Sequence, residues 1–143
     1  SEEALEYLVD AHRHPKPRVR EGRILAREGV IAAMDISDGL VDDLKKFMKA
    51  SDLAAQLDVW RIPINPLMVA AFDADALGLA LAGGEDYELL YAGSQQVIEK
   101  TLALLPDAAI IGRVVSGDSG AVTLLQSEDH EMKIQNYGWD HFR

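Results

Sequence analysis

Hydrophobic and polar positions along this chain alternate between two rhythms. Over residues 2–12, Leu5, Leu8, Val9 and Ala11 fall on roughly one side of a helix. His14-Pro15-Lys16-Pro17 ends it, because the residue before a proline is pushed out of the α region. Arg18 to Arg27 resumes helical spacing through Val19, Ile24, Leu25 and Ala26, and Gly29 suits its exit. Val30-Ile31-Ala32-Ala33-Met34 breaks the rhythm with an unbroken apolar run, expected of a strand covered on both faces. Gly39 to Ala50 is helical again, with Leu40, Val41, Leu44, Phe47 and Met48 inward and Asp38 as the expected N-cap. Asp42 and Asp43 stand at ion-pair spacing from Lys46 and read as surface features.

Further along, Ala54 to Ile64 reads as a strand, with Val59, Trp60 and Ile62 giving it β character and Pro63 closing it. Asn65-Pro66 has the form of a cap followed by a proline in the first helical position, opening a short helix to Phe72. A second short helix runs from Ala74 to Ala82 and stops at Gly83-Gly84. Tyr87 to Ala92 is a strand, Gln95 to Leu105 a helix and Ala108 to Val115 a strand. Gly117-Asp118-Ser119-Gly120 predicts a turn pairing Val115 with Ala121–Leu125 as a hairpin. Met132 to Ile134 adds a last short strand. Strands and helices mix without strict alternation, which predicts an α+β fold, a mixed β-sheet covered by helices, in one domain spanning 1–143.

Composition narrows the partners. The 143 residues carry a formal net charge of -10, which disfavours a nucleic-acid surface or an anionic membrane. A phosphorylated ligand would need metal ions or local N–H and Arg donors. Without cysteine there is neither a disulfide framework nor a thiolate metal site. No apolar run approaches the roughly 18 residues of a membrane span. The expectation is cytoplasmic, with the opening at Ser1 suggesting a fragment or processed product.

Two stretches could carry chemistry. In Met34-Asp35-Ile36-Ser37-Asp38-Gly39-Leu40 a strand runs into two aspartates, a serine and a helix start. Carboxylates and a hydroxyl so placed suit Mg²⁺, and a helix N-terminus favours an anion. Taken alone, the stretch reads equally well as a strand end and a helix cap. In Gly83-Gly84-Glu85-Asp86-Tyr87-Glu88 two glycines precede a run of acids, where a helix C-cap followed by solvated acids is the simpler account. The tail, with Trp139, His141 and Phe142, holds more rings than a frayed end usually does.

Together, Asp35-Ile36-Ser37-Asp38-Gly39-Leu40, Gly84-Glu85-Asp86-Tyr87-Glu88-Leu89, His14-Pro15-Lys16-Pro17-Arg18 and Gly138-Trp139-Asp140-His141-Phe142 resemble the C-terminal domain of the thiamine-monophosphate kinase family, in the family's order. The resemblance implies the superfamily of aminoimidazole ribonucleotide synthetase and selenophosphate synthetase, with two α/β domains and ATP bound between them. It implies transfer of the ATP γ-phosphoryl group to thiamine monophosphate with several Mg²⁺ ions. By motif, Asp35 and Asp38 would be metal ligands, Asp38 also catalytic. Ser37 would contact ATP, and Glu85 and Trp139 the thiamine substrate, with Asp86 a lesser candidate. The family's N-terminal domain has no counterpart in these residues, so the chain alone is expected to have little kinase activity, and the full protein to form a homodimer. The rival expectations are a paralogue acting on another small phosphate acceptor and a non-catalytic ligand-binding module.

Overall fold

The computed structural model describes residues 2–127 and 130–132. In chain order the elements are α1 (Glu2–Arg13), α2 (Val19–Arg27), β1 (Ala32–Asp35), α3 (Leu40–Ala50), β2 (Ala54–Asp58), α4 (Pro66–Phe72), α5 (Ala76–Ala82), β3 (Leu89–Ala92), α6 (Gln95–Leu104), β4 (Gly112–Val115), β5 (Val122–Ser127) and β6 (His130–Met132). Among the described residues the strands form a four-stranded sheet, ordered β4-β2-β5-β6, and a two-stranded β1-β3 ribbon. The larger sheet is mixed, since β2 pairs antiparallel with β4 but parallel with β5. This is the expected α+β architecture.

The core forms where α3 lies across these elements. Its predicted inward set, Leu40, Val41, Leu44, Phe47 and Met48, is buried, and it packs with Ala55 and Leu57 of β2, Leu81 of α5, Leu90 of β3 and Leu124 of β5. Removing such side chains from water supplies most of the driving force, roughly 1.5–3 kcal/mol for each fully buried Leu, Val, Phe or Met. At the start of α4, the Asn65 side chain accepts the Leu67 N–H at 2.9 Å, with Pro66 in the first turn, as predicted.

Several expectations need correcting. Val115 and Ala121–Leu125 are not a hairpin, because β2 lies between β4 and β5. Ala54, Ala55 and Leu57 are buried, so β2 takes the central place that a hairpin would deny it. The strand expected to reach Ile64 ends at Asp58, and Val59–Arg61 is a turn of 3-10 helix. The β2–β4 register runs out at Leu57 opposite Gly112, so no ladder remains to hold Val59 and Trp60 extended; for the same reason β4 begins only at Gly112. The Val30–Met34 run is not covered on both faces. Here β1 pairs with β3 alone, exposure alternates along it, and Ile31 is 98% exposed. On α1 only Ala4 is buried, while Leu5 and Val9 of the expected apolar side are exposed. No described helix is long and apolar enough to cross a membrane.

Candidate functional site

The two acidic stretches meet. Antiparallel pairing of β1 with β3 sets Asp35 opposite Leu89. Beyond that ladder the backbones stay joined: Ile36 N–H donates to Glu88 O at 2.9 Å, Tyr87 N–H to Ile36 O at 2.8 Å, and Glu85 N–H to Ser37 O at 2.8 Å. Two glycines permit this approach. A Cβ on Gly84 would lie 2.7 Å from the Ser37 carbonyl oxygen, and one on Gly39 would lie 2.9 Å from that of Ala82. The structure therefore brings Asp35, Ser37, Asp38 and Glu85 into one loop pair, although the residues at issue lie some fifty positions apart. Trp139, the remaining expected site residue, lies outside the described residues.

Asp38 is not the cap of α3. The capping position belongs to Gly39, at φ 123°, without a side-chain hydrogen bond. The Asp38 carboxylate turns instead to the Lys46 ammonium. The residue that organises the loop is Asp43, in the first turn of α3. One of its carboxylate oxygens accepts both the Ser37 N–H at 2.8 Å and the Asp38 N–H at 2.9 Å. The other accepts from Lys46 at 2.7 Å. Asp43 is only 1% exposed, so it is not the surface feature its spacing suggested. Burial alone would raise its pKa, but the hydrogen bonds from Lys46, Asp38 and Ser37 outweigh that and hold the carboxyl below its ordinary value. Lys46, hydrogen-bonded to Asp38 and then Asp43, is held above the usual lysine range. The sequence signal was the i,i+3 pairing of Asp43 with Lys46; what it lacked was the backbone folding back over the helix start.

The second loop is strained. Glu85 and Tyr87 have φ of 71° and 51°, a region that bulky side chains rarely enter. The Tyr87 hydroxyl donates to Glu85 at 2.7 Å. That bond and the Glu85 charge push the phenol above its usual pKa, with desolvation and the Asp35 and Asp38 charges adding to it. Asp86 counts as exposed by surface area, yet surrounding atoms desolvate it; its carboxyl is raised, and the Glu88 charge contributes. Arg18, just before α2, clamps the loop from behind, donating to both Glu88 oxygens at 2.9 and 2.6 Å.

The donors match a hard divalent cation in kind: carboxylate oxygens at Asp35 and Asp38, with Asp38 already holding a cationic group in Lys46. They do not close a cage, since among the described residues no group of three or more His, Cys, Asp or Glu could hold a metal ion. Further oxygens would come from phosphate, water or another domain.

Comparison with known proteins matches residues 2–125 to the family described as AIR synthase related protein, C-terminal domain. A thiamine-monophosphate kinase from Buchnera aphidicola subsp. Schizaphis graminum is 36% identical over 141 residues, 95% of this chain but 43% of that protein. A solved structure described as AaThiL complexed with AMPPCP and TMP superposes with a TM-score of 0.78 at 27% identity, covering 97% of this chain and 42% of that one. Thiamine-monophosphate kinase from Stenotrophomonas maltophilia K279a gives a TM-score of 0.68 at 33% identity, covering 77% and 35%. The chain thus spans less than half the length of the relatives it matches.

Proposed function

This chain belongs to the AIR synthase related protein, C-terminal domain family, and from that premise we propose that it is the C-terminal half of a thiamine-monophosphate kinase. The observation that carries this is the joining of the Asp35–Asp38 and Gly84–Glu88 loops by backbone hydrogen bonds into one acidic site. The names of the relatives supply the substrate: proteins matching 95% and 77% of the chain are thiamine-monophosphate kinases.

In this reading the γ-phosphoryl group of ATP passes to a phosphate oxygen of thiamine monophosphate, giving thiamine diphosphate and ADP. Such transfer depends chiefly on positioning and charge neutralisation. Asp35 and Asp38 would hold Mg²⁺, which, when bound, offsets the negative charge of the phosphates. Asp43 sets the backbone carrying Asp38, and Ser37 faces the nucleotide. Glu85, oriented by Tyr87, receives the cationic thiamine, with Trp139 stacking on its ring. The rest of the nucleotide site would lie in the portion of the relatives that this chain does not match, and the assembled protein would be a cytoplasmic homodimer.

Isothermal titration tests this on the chain itself. Thiamine monophosphate should bind in a Mg²⁺-dependent manner, weakening at least about tenfold in Asp38→Asn or Trp139→Ala. Binding that is indifferent to Mg²⁺ and to both substitutions would support a ligand-binding module instead.

A further inference from the structure

Lys46 occupies the place of a cation. Its ammonium bridges two carboxylates that differ sharply in environment: Asp43, 1% exposed and bonded at 2.7 Å, and Asp38, 55% exposed. The Asp43 limb is fixed, because that carboxylate is also tied to two backbone N–H groups. The Asp38 limb is open to solvent and is the one that can let go. Lys45, its neighbour on α3, points its charge elsewhere, to Asp42 at 3.4 Å.

We propose that Lys46 is the resident counter-cation of Asp38, which a divalent cation must displace from Oδ2 before Asp38 can ligate it through that oxygen, Lys46 then keeping Asp43 alone. This rests on the metal-ligand role of Asp38 proposed above. Physically, the ammonium neutralises Asp38 when no metal is bound, and a divalent ion at the same oxygen would feel its repulsion at close range. Lys46 thereby sets the cation concentration at which the site fills, and the anchor at Asp43 keeps the displaced ammonium nearby, ready to return.

The test is Mn²⁺ binding to the 143-residue chain, followed by electron paramagnetic resonance of the free ion, for wild type, K46Q, K46R, K45Q and D38N. Circular dichroism melts check that each is folded, and K46M replaces K46Q should the latter fail to fold. K46Q should bind Mn²⁺ about threefold to tenfold more tightly, K46R like wild type, and K45Q within about 1.5-fold of wild type. Equal tightening in K45Q and K46Q would overturn the inference, because a general loss of positive charge would then account for it. An unchanged K46Q alongside a D38N that loses binding would also overturn it, while leaving Asp38 as a ligand. Binding equally strong in D38N would overturn the metal reading of Asp38 itself, and the inference with it.

Discussion

Replacing Asp43 attacks the candidate site without touching any residue expected to meet substrate. Asp43→Ala removes an acceptor of three hydrogen bonds: two from the Ser37 and Asp38 amides at 2.8 and 2.9 Å, and one from Lys46 at 2.7 Å. The carboxylate is 1% exposed, so water does not simply take its place. A donor left without a partner costs about 1–3 kcal/mol when buried; the two amides are part-buried and the Lys46 side chain is 53% exposed, so the lower end applies to each. A loss of about 2–3 kcal/mol is therefore expected for alanine. Asparagine retains an oxygen for the two amides but turns an NH2 donor toward Lys46, forfeiting the charge and that hydrogen bond, for about 1–2 kcal/mol. Urea unfolding measures both, read as a shift in midpoint at unchanged slope. The pH dependence follows from the lowered carboxyl. A group with a depressed folded pKa contributes stability that is complete above its unfolded value. That contribution is lost as pH falls through the folded value. The gap between wild type and Asp43→Asn should thus be full at pH 7 and shrink below the ordinary aspartate range. Mn²⁺ affinity should fall about tenfold or more as the Asp38 backbone is released. An alanine variant within about 0.5 kcal/mol of wild type would refute the whole argument.

Other positions give independent tests. Gly84→Ala puts a Cβ 2.7 Å from the Ser37 carbonyl; overpacking should cost about 1–3 kcal/mol and weaken thiamine monophosphate binding, whereas a neutral variant would mean the loops part easily. Arg18→Lys keeps the charge but loses the two-pronged grip on Glu88. Because the pair is partly exposed, the cost should stay near 0.5 kcal/mol, roughly, by urea midpoint, with Arg18→Ala only slightly worse. Asp86 has a raised carboxyl, so its ionised form is penalised in the fold. Asp86→Asn should stabilise the chain slightly at pH 7, by about 0.3 kcal/mol after solvent screening. The gain should vanish as pH drops below the usual carboxylate range, where both side chains are neutral. A gain that persists at low pH would exclude desolvation of charge as its source.

Much of this was legible in the sequence because local chemistry decided it. Asn65-Pro66 marks the start of α4, the stripe from Leu40 to Met48 forms the buried face of α3, and Gly83 follows the end of α5. The glycines and acids at residues 35–39 and 84–88 marked the loops that meet. What stayed hidden depended on partners far along the chain. A turn at Gly117–Gly120 cannot announce that β2 will insert between the strands on either side of it. The β-branched and aromatic residues at Val59 and Trp60 have no ladder to join once the β2–β4 register ends at Gly112. Asp43 and Lys46 are recognisable as a pair, but the two amides that make Asp43 the anchor of the Asp38 loop come from the backbone of residues 37 and 38.

Whether this chain completes a thiamine-monophosphate kinase is decided by ADP release measured with ATP, Mg²⁺ and thiamine monophosphate. The protein to use is one in which this chain replaces the matching 43% of the Buchnera aphidicola enzyme. Turnover should require thiamine monophosphate, fall at least about a hundredfold in Asp38→Asn, and be absent from the 143-residue chain alone. A folded chimera that binds Mg²⁺ and nucleotide yet releases no ADP, or releases it equally without thiamine monophosphate, would contradict that reading.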